Sequence, residues 1–98
     1  MSGMNMERRF DWNPKKARGN LRKHQVDFEE ASTIFEDPLF ITFLDEEHSG
    51  DEERYITLGL SNKNHLLMVA HAERNDTIRI ISARKATANE EKFYQESG

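Results

Sequence analysis

Three arginines, Arg74, Arg79 and Arg84, stand in or beside a run of isoleucines in the stretch RNDTIRIISAR. The isoleucine-rich alternation predicts a strand, and the polar pair Asn75-Asp76 before it predicts a tight turn. Arginines repel one another across a sheet face and lose side-chain entropy when they are ordered. A guanidinium binds two phosphate oxygens at once and stays charged at any relevant pH. We therefore predict that these arginines bind a phosphate-bearing ligand.

The register of this hairpin decides which arginines share a face. A two-residue turn pairs Arg74 with Thr77 and makes Arg74 and Arg79 diagonal neighbours on one face. A three-residue turn would group Arg74 with Arg84 instead. Either register leaves two guanidiniums near one end of the hairpin. Taken singly, each arginine is better explained by pairing with a carboxylate of the segments around it: Glu73, Glu90, Glu91 or the acidic loop at 45–53.

Composition limits the class of protein. The chain has 98 residues, of which 36% are hydrophobic and 33% charged, and it contains no cysteine. One domain over residues 1–98 is expected, with frayed ends at residues 1–6 and at the last few positions. Disulfides, thiolate metal sites and cysteine nucleophiles are excluded. No segment has the apolar length of a membrane span or of a signal-peptide core, so we expect a cytoplasmic protein without a membrane partner.

The net charge of −4 conceals a segregation of charge along the chain. Residues 7–24 carry seven basic and two acidic side chains, whereas residues 27–53 carry eleven acidic and no basic ones. Residues 54–98 are again weakly basic. A local basic surface attracts phosphates whatever the total charge, and an acidic middle segment equally suits a basic partner.

The apolar periodicity predicts the element order β-α-α-β-β-β-β-α. Asn13 and Pro14 begin a first helix that runs to His24, and Asp27 with Glu30 forms a capping box for a second helix that stops at Pro38. Thr87 with Glu90 caps the last helix. The strands are predicted at residues 8–12, 39–44, 54–60, 65–74 and 77–84. The short connections require antiparallel hairpins, so we predict an α+β domain in which helices pack on one antiparallel sheet.

These pieces together resemble one known family. The segments FDWNPKKARGNLRKHQVDFEEASTIFEDP, ERYITLG and RIISARKAT, followed by a glutamate and a tyrosine, are similar in order and spacing to the BrnT toxins of bacterial type II toxin–antitoxin systems. The resemblance implies a RelE-like fold, cleavage of cellular RNA and a block on translation. It also implies neutralisation by a BrnA-like antitoxin, through which alone the toxin would contact DNA.

The same resemblance gives Arg74, Arg79 and Arg84 as the positions of greatest functional weight. The family often has a hydroxyl residue where this chain has Ala72, which puts any step that needs that hydroxyl in doubt. It often has glycine at Gln25 and Asn75. Asparagine tolerates the left-handed backbone conformation, so the change at Asn75 is mild.

Without a metal constellation, RNA cleavage proceeds by attack of the 2′-hydroxyl on the adjacent phosphate, which needs a base, an acid and cations. We assign the cations to the three arginines and take His71 as the candidate proton shuttle, because its titration range suits that role. Alternation along the strand equally predicts a half-buried structural histidine. The other candidates for proton transfer are His24, Glu73, Glu90 and Tyr94. We assign RNA binding to Lys85, Arg54 and Tyr94.

Two rival functions use the same residues. A non-catalytic RNA- or protein-binding module would bind phosphates without cutting RNA, and a plain interaction protein would use the acidic segment and bind no RNA. The loop around His48 (with Asp45, Glu46, Glu47 and Asp51) lacks the regular ligand spacing of a hard-cation loop. We expect no metal and no cofactor.

Overall fold

A computed structural model describes residues 8–50 and 52–97. Residues 1–6, which we expect to be frayed, and Asp51 lie outside the described residues. The described elements are β1 (Arg9–Asp11), α1 (Pro14–His24), α2 (Phe28–Ser32), β2 (Ile41–Leu44), β3 (Arg54–Leu60), β4 (Leu66–Arg74), β5 (Thr77–Lys85) and α3 (Ala88–Ser97). Two short 3₁₀ helices, Thr33–Glu36 and Glu46–His48, follow α2 and β2. The predicted α+β fold is confirmed.

The sheet has the strand order β1-β5-β4-β3-β2. The predicted hairpins are confirmed, since β2, β3, β4 and β5 pair antiparallel in sequence. The prediction of a wholly antiparallel sheet was wrong, because β1 runs parallel to β5, with Arg9 opposite Thr77 and Asp11 opposite Arg79. No short turn joins these two strands, so the connection rule that fixes the hairpins does not constrain them.

The first helix begins and ends as its sequence predicts. The Asn13 side chain accepts hydrogen bonds from the backbone N–H groups of Lys15 and Lys16, at 2.9 and 3.1 Å, and Pro14 occupies the first helical position. The helix ends at His24, after which Gln25 has a φ of 59°. This left-handed position explains why glycine suits residue 25.

The second helix is shorter than predicted and its capping box is half formed. Asp27 accepts the Glu30 N–H at 2.6 Å, as expected. The Glu30 carboxylate does not return to the cap, because it accepts hydrogen bonds from Ser61 and lies 2.8 Å from His65 Nδ1. The α-helix gives way to a 3₁₀ turn after Ser32. Both partners of Glu30 lie more than thirty residues away in the chain.

The core lies between one face of the sheet and helices α1 and α2. Its central side chains are almost fully buried: Val26, Phe28, Ala31, Ile34, Leu67, Val69, Ile80 and Ala83. Helix α3 contacts the opposite face, where Phe93 packs against Phe43 with ring centroids 5.7 Å apart. No helix in the described part of the chain is long and apolar enough to cross a membrane.

Asn20 joins α1 to an otherwise unpaired edge of β5. Strand β1 pairs only with Thr77–Arg79, so within the described part of the chain the outer edge of β5 has no neighbouring strand at Ala83. The Asn20 amide occupies that place, donating to the Ala83 carbonyl at 2.8 Å and accepting from the Ala83 N–H at 3.1 Å. It also donates to the Val26 carbonyl at 3.0 Å. One buried side chain thus satisfies three backbone groups.

Candidate functional site: an arginine face and a second cleft

The hairpin between β4 and β5 has the two-residue register. Asn75 and Asp76 have φ angles of 50° and 66°, as a type I′ turn requires at both central positions. Arg74 pairs with Thr77, and Ala72 pairs with Arg79. Arg74 and Arg79 are therefore diagonal neighbours on one face of the sheet, as this register predicts.

A β-bulge adds Arg84 to the same face. The pairing changes from His71 with Ile80 to Ala70 with Ser82, which leaves Ile81 as an extra residue of β5. One inserted residue reverses the alternation of every side chain that follows it. Arg84 therefore lies on the face of Arg79, whereas strict alternation would have placed the two arginines on opposite faces.

We call the surface formed by Arg54, Arg74 and Arg79 the arginine face. Arg54 pairs with Ala72 from β3 and Arg79 pairs with Ala72 from β5, so the two arginines flank this small residue in one cross-strand row. Two strand spacings separate their Cα atoms by roughly 10 Å, a gap that two long side chains can close around one phosphate. Asp11 continues the row beyond Arg79.

A small cleft of about 200 Å³ opens on this face, lined by Asp11, Glu52, Ala72, Arg74, Asn75, Thr77 and Arg79. Arg74 Nη2 lies 3.7 Å from Glu52 Oε2, but the Arg74 side chain is 75% exposed. An ion pair at such exposure contributes little and opens easily. Within residues 8–50 and 52–97, Arg79 has no carboxylate within ion-pair distance.

Arg84 pairs with a carboxylate. For each of the three arginines, the sequence had left such pairing open as the alternative to binding a phosphate. The two terminal nitrogens of Arg84 donate to the two Glu90 oxygens, each at 2.9 Å. These bonds, assisted by the Thr87 N–H and opposed by partial burial, lower the pKa of Glu90 to about 2. Glu90 and Thr87 also form the predicted capping box of α3. Arg84 thus attaches α3 to β5, and a contact with RNA would require this pair to open.

The structure does not bring Lys85 or Tyr94 into the arginine face. Lys85 pairs with Leu67, which places it on the other side of the sheet, at the end of β5 far from the hairpin. Tyr94 donates a hydrogen bond to Asp37, and burial together with that bond raises its pKa to about 12. The roles of these two residues in RNA binding stay predictions.

His71 lies on the helix side of the sheet, fully buried where the sequence suggested half-burial. Its ring stacks on Tyr55 and meets Phe35 edge-on. Nε2 lies 2.7 Å from Thr57 Oγ1, whereas Nδ1 has no hydrogen-bond partner among the described residues and stands 3.6 Å from Glu73 Oε2. Burial lowers the pKa of His71 to about 4, so the ring is neutral at pH 7. This environment fits the structural alternative, and the catalytic role stays a prediction.

Acid should destabilise the protein through His71. The unfolded histidine binds a proton near pH 6.5, the folded one only near pH 4, so the unfolded state binds more protons between these values. The contribution is complete above pH 6.5 and is lost as the pH falls to 4, at a cost of about 3 kcal/mol. Urea unfolding of the parent and of His71→Gln across this range measures the effect. Parallel curves for the two proteins would contradict it.

A larger cleft, of about 1250 Å³, lies on the helix side above His71. Its lining residues are Arg8, Arg9, Phe35, Phe40, Thr42, Tyr55, Glu73, Arg74, Asn75, Asp76, Thr77 and Ile78. The Arg8 guanidinium lies 5.5 Å from the centre of the Phe40 ring and donates to the Phe35 carbonyl at 3.2 Å. Sequence reasoning missed Arg8 and Arg9, because only the parallel pairing of β1 brings them to the β4–β5 hairpin.

In the acidic loop, His48 Nδ1 lies 3.0 Å from Asp45 Oδ2. Among the described residues, which omit Asp51, no three metal-ligating side chains are grouped as an ion site would require.

Comparisons with known proteins place this arrangement in a family. Residues 12–90 match the family model described as "Ribonuclease toxin, BrnT, of type II toxin-antitoxin system". The fold is similar to the crystal structure of the Brucella abortus ribonuclease toxin BrnT, with a TM-score of 0.63 and 19% sequence identity over 83% of this chain and 99% of that one. Among curated proteins, none matches the chain. Since the family model spans most of the chain, the protein belongs to the BrnT family of ribonuclease toxins of type II toxin–antitoxin systems.

Proposed function

We propose that the protein is a metal-independent endoribonuclease that cleaves RNA on the arginine face, blocks translation in the cytoplasm and is neutralised by a BrnA-like antitoxin. The supporting observation is the cross-strand row in which Arg54 and Arg79 flank Ala72, with Arg74 one step towards the hairpin. Three arginines from three consecutive strands of the sheet, β3, β4 and β5, offer guanidiniums on one face that suit an anion.

The proposed reaction is transesterification within the RNA strand. The 2′-oxygen bonds to the adjacent phosphorus and loses its proton to a base, while the 5′-oxygen leaves and takes up a proton. The products carry a 2′,3′-cyclic phosphate and a 5′-hydroxyl. Negative charge grows on the phosphoryl oxygens in the transition state, and fixed guanidiniums stabilise that charge without having to reorganise.

The geometry offers base candidates that the sequence did not. Asp11 and Glu52 are the carboxylates that line the cleft of the arginine face. His71 lies on the opposite side of the sheet, so it cannot reach a phosphate held between Arg54 and Arg79 without rearrangement. Ala72 stands where the resemblance implies a hydroxyl, and the two carboxylates are therefore the groups to test.

The proposed antitoxin would act by covering the arginine face with acidic side chains. Charge complementarity supports this arrangement, because the exposed guanidiniums of Arg74 and Arg79 would otherwise repel each other. Any contact with DNA would come from the antitoxin.

The test is incubation of the purified protein with cellular RNA in the presence of a chelator. We expect cleavage to persist and the new ends to be 2′,3′-cyclic phosphate and 5′-hydroxyl. Parallel reactions should contain isolated RNA and ribosome-bound messenger RNA, and a translation extract with and without the antitoxin measures the block and its relief. If the chelator abolishes cleavage, metal independence is wrong. If the folded protein binds RNA in both forms and cuts neither, it is a non-catalytic binding module.

A further inference from the structure

We propose that the cleft on the helix side of the sheet is a second RNA subsite, which holds one unpaired nucleotide of the strand that the arginine face binds. This inference rests on the proposed function in taking RNA as the ligand. The cleft would bind a nucleotide that takes no part in the cleavage reaction on the arginine face.

The hairpin tip connects the two sites. Arg74, Asn75 and Thr77 line both the small cleft of the arginine face and the large cleft of the helix side. An RNA single strand that leaves the arginine face can therefore pass over the hairpin tip into the large cleft, and Arg74 can contact its backbone at the crossing. A single strand can make this turn, whereas a duplex cannot, because its persistence length far exceeds the width of a hairpin.

The composition of the large cleft fits a nucleotide. Proteins bind unpaired bases by stacking them on aromatic rings and guanidinium planes, and they bind the backbone through cations. Tyr55 and Phe40 supply rings, and the guanidinium of Arg8 lies over the Phe40 ring. Arg9 and Arg74 supply exposed cations at the rim.

Charge favours the same ligand. Three arginines and two carboxylates, Glu73 and Asp76, leave the lining with one net positive charge, which matches one phosphodiester unit. The carboxylates also suit a base, since a carboxylate accepts hydrogen bonds from the exocyclic amino groups of cytosine or adenine. A purely anionic ligand such as free phosphate would gain nothing from them.

Polar groups of the lining argue against a purely apolar ligand, and one of them, Thr42, begins a chain of polar contacts into the protein. Thr42 Oγ1 lies 2.7 Å from Thr57 Oγ1, which lies 2.7 Å from His71 Nε2. Thr57 and His71 lie behind the lining, and His71 Nδ1, which has no hydrogen-bond partner among the described residues, stands 3.6 Å from the lining residue Glu73. The lining residues Thr42 and Glu73 therefore present polar groups that can bind a nucleotide.

The test is the binding of a fluorescent RNA octamer in which fluorine replaces every 2′-hydroxyl, so that transesterification is impossible. Its affinity is measured at several salt concentrations for the parent, Arg9→Ala, Tyr55→Leu and the control Lys63→Ala. Lys63 is exposed in the turn between β3 and β4, at the end of the sheet away from the hairpin. Its replacement removes the same charge as Arg9→Ala. All four proteins must unfold cooperatively before binding is compared.

We expect Arg9→Ala to weaken binding roughly three- to tenfold and to reduce the salt dependence by about one phosphate contact. Tyr55→Leu should weaken binding about fivefold or more with an unchanged salt dependence, because stacking carries no charge. Lys63→Ala should change affinity less than about twofold. If Arg9→Ala matches Lys63→Ala, or if folded Tyr55→Leu binds like the parent, the second subsite is wrong.

The binding test is independent of the cleavage test. A parent that cuts natural RNA while Arg9→Ala and Tyr55→Leu bind the octamer normally would preserve the proposed function and overturn the second subsite. If the parent cuts no RNA, but Arg9→Ala and Tyr55→Leu both bind the octamer more weakly than the parent, the second subsite stands and the proposed cleavage is wrong.

Discussion

RNA cleavage should fall at least about a hundredfold when Arg54 and Arg79 are both replaced by alanine. The two side chains flank Ala72 from β3 and β5, the strands on either side of β4, and a phosphate held between them would meet guanidiniums on both sides. Removal of one fixed donor to a developing charge typically costs about a hundred- to a thousandfold in rate. The two losses should not simply add, because either arginine alone still stabilises part of the charge.

The comparison variant is Arg18→Ala with Arg22→Ala, two exposed residues of α1. It removes the same total charge from a surface that lines neither cleft. We expect it to lose only the modest rate that long-range attraction of RNA provides, and the difference from the parent should close when both are assayed at higher salt, which screens that attraction.

Lysine replacements separate charge from geometry. Arg54→Lys with Arg79→Lys keeps both charges but cannot form two parallel bonds to one phosphate. Its rate should lie between those of the parent and the alanine variant, and the loss should appear in kcat more than in KM. If single-turnover cleavage by the folded alanine variant equals that of the Arg18, Arg22 control, the reaction does not take place on the arginine face.

Local signals explain what could be predicted from the sequence. The bounds of Pro14–His24 and Arg54–Leu60 agree with the structure, because a cap, a proline and a strict alternation are readable within a few residues. The turn at Asn75-Asp76 was also placed correctly, although the sequence left its length open between two and three residues, and both residues accept the positive φ of a two-residue turn.

Features that the sequence did not predict depend on contacts between residues far apart in the chain. Nothing near Glu30 indicates that Ser61 and His65 would take its carboxylate from the capping box. Ile81 looks like any other strand isoleucine, yet as the bulge it decides the face on which Arg84 lies. Arg9 enters the second cleft only because β1 pairs with a strand almost seventy residues later in the chain.

Asn20 is the clearest case, because a polar residue in the middle of a helix is usually solvent-exposed. Here it is buried and replaces a missing strand beside Ala83. Alanine at this position would leave the N–H and the carbonyl of Ala83, and the carbonyl of Val26, without their protein partner. Each orphaned buried group costs about 1–3 kcal/mol, so Asn20→Ala should destabilise the protein by about 4 kcal/mol.

That loss is a large share of the total stability of a small domain, which is about 5–15 kcal/mol. The melting temperature should fall by roughly 20 °C, since 1 kcal/mol corresponds to about 4–8 °C in a domain of this size. Thermal unfolding of the parent, Asn20→Ala and the exposed control Asn89→Ala measures the effect. The control should stay within about 0.5 kcal/mol of the parent.

Asn20→Leu distinguishes lost hydrogen bonds from lost volume. Leucine has the same branched outline as asparagine, is larger and has no polar atom, so it leaves no cavity beside β5 and cannot pair with Ala83. We expect it to remain nearly as destabilised as Asn20→Ala, because the orphaned backbone groups are the same in both variants. If Asn20→Leu instead has the same melting temperature as the parent, packing holds α1 on the sheet and the hydrogen bonds of the Asn20 amide do not. The edge of β5 would then need no polar partner at Ala83.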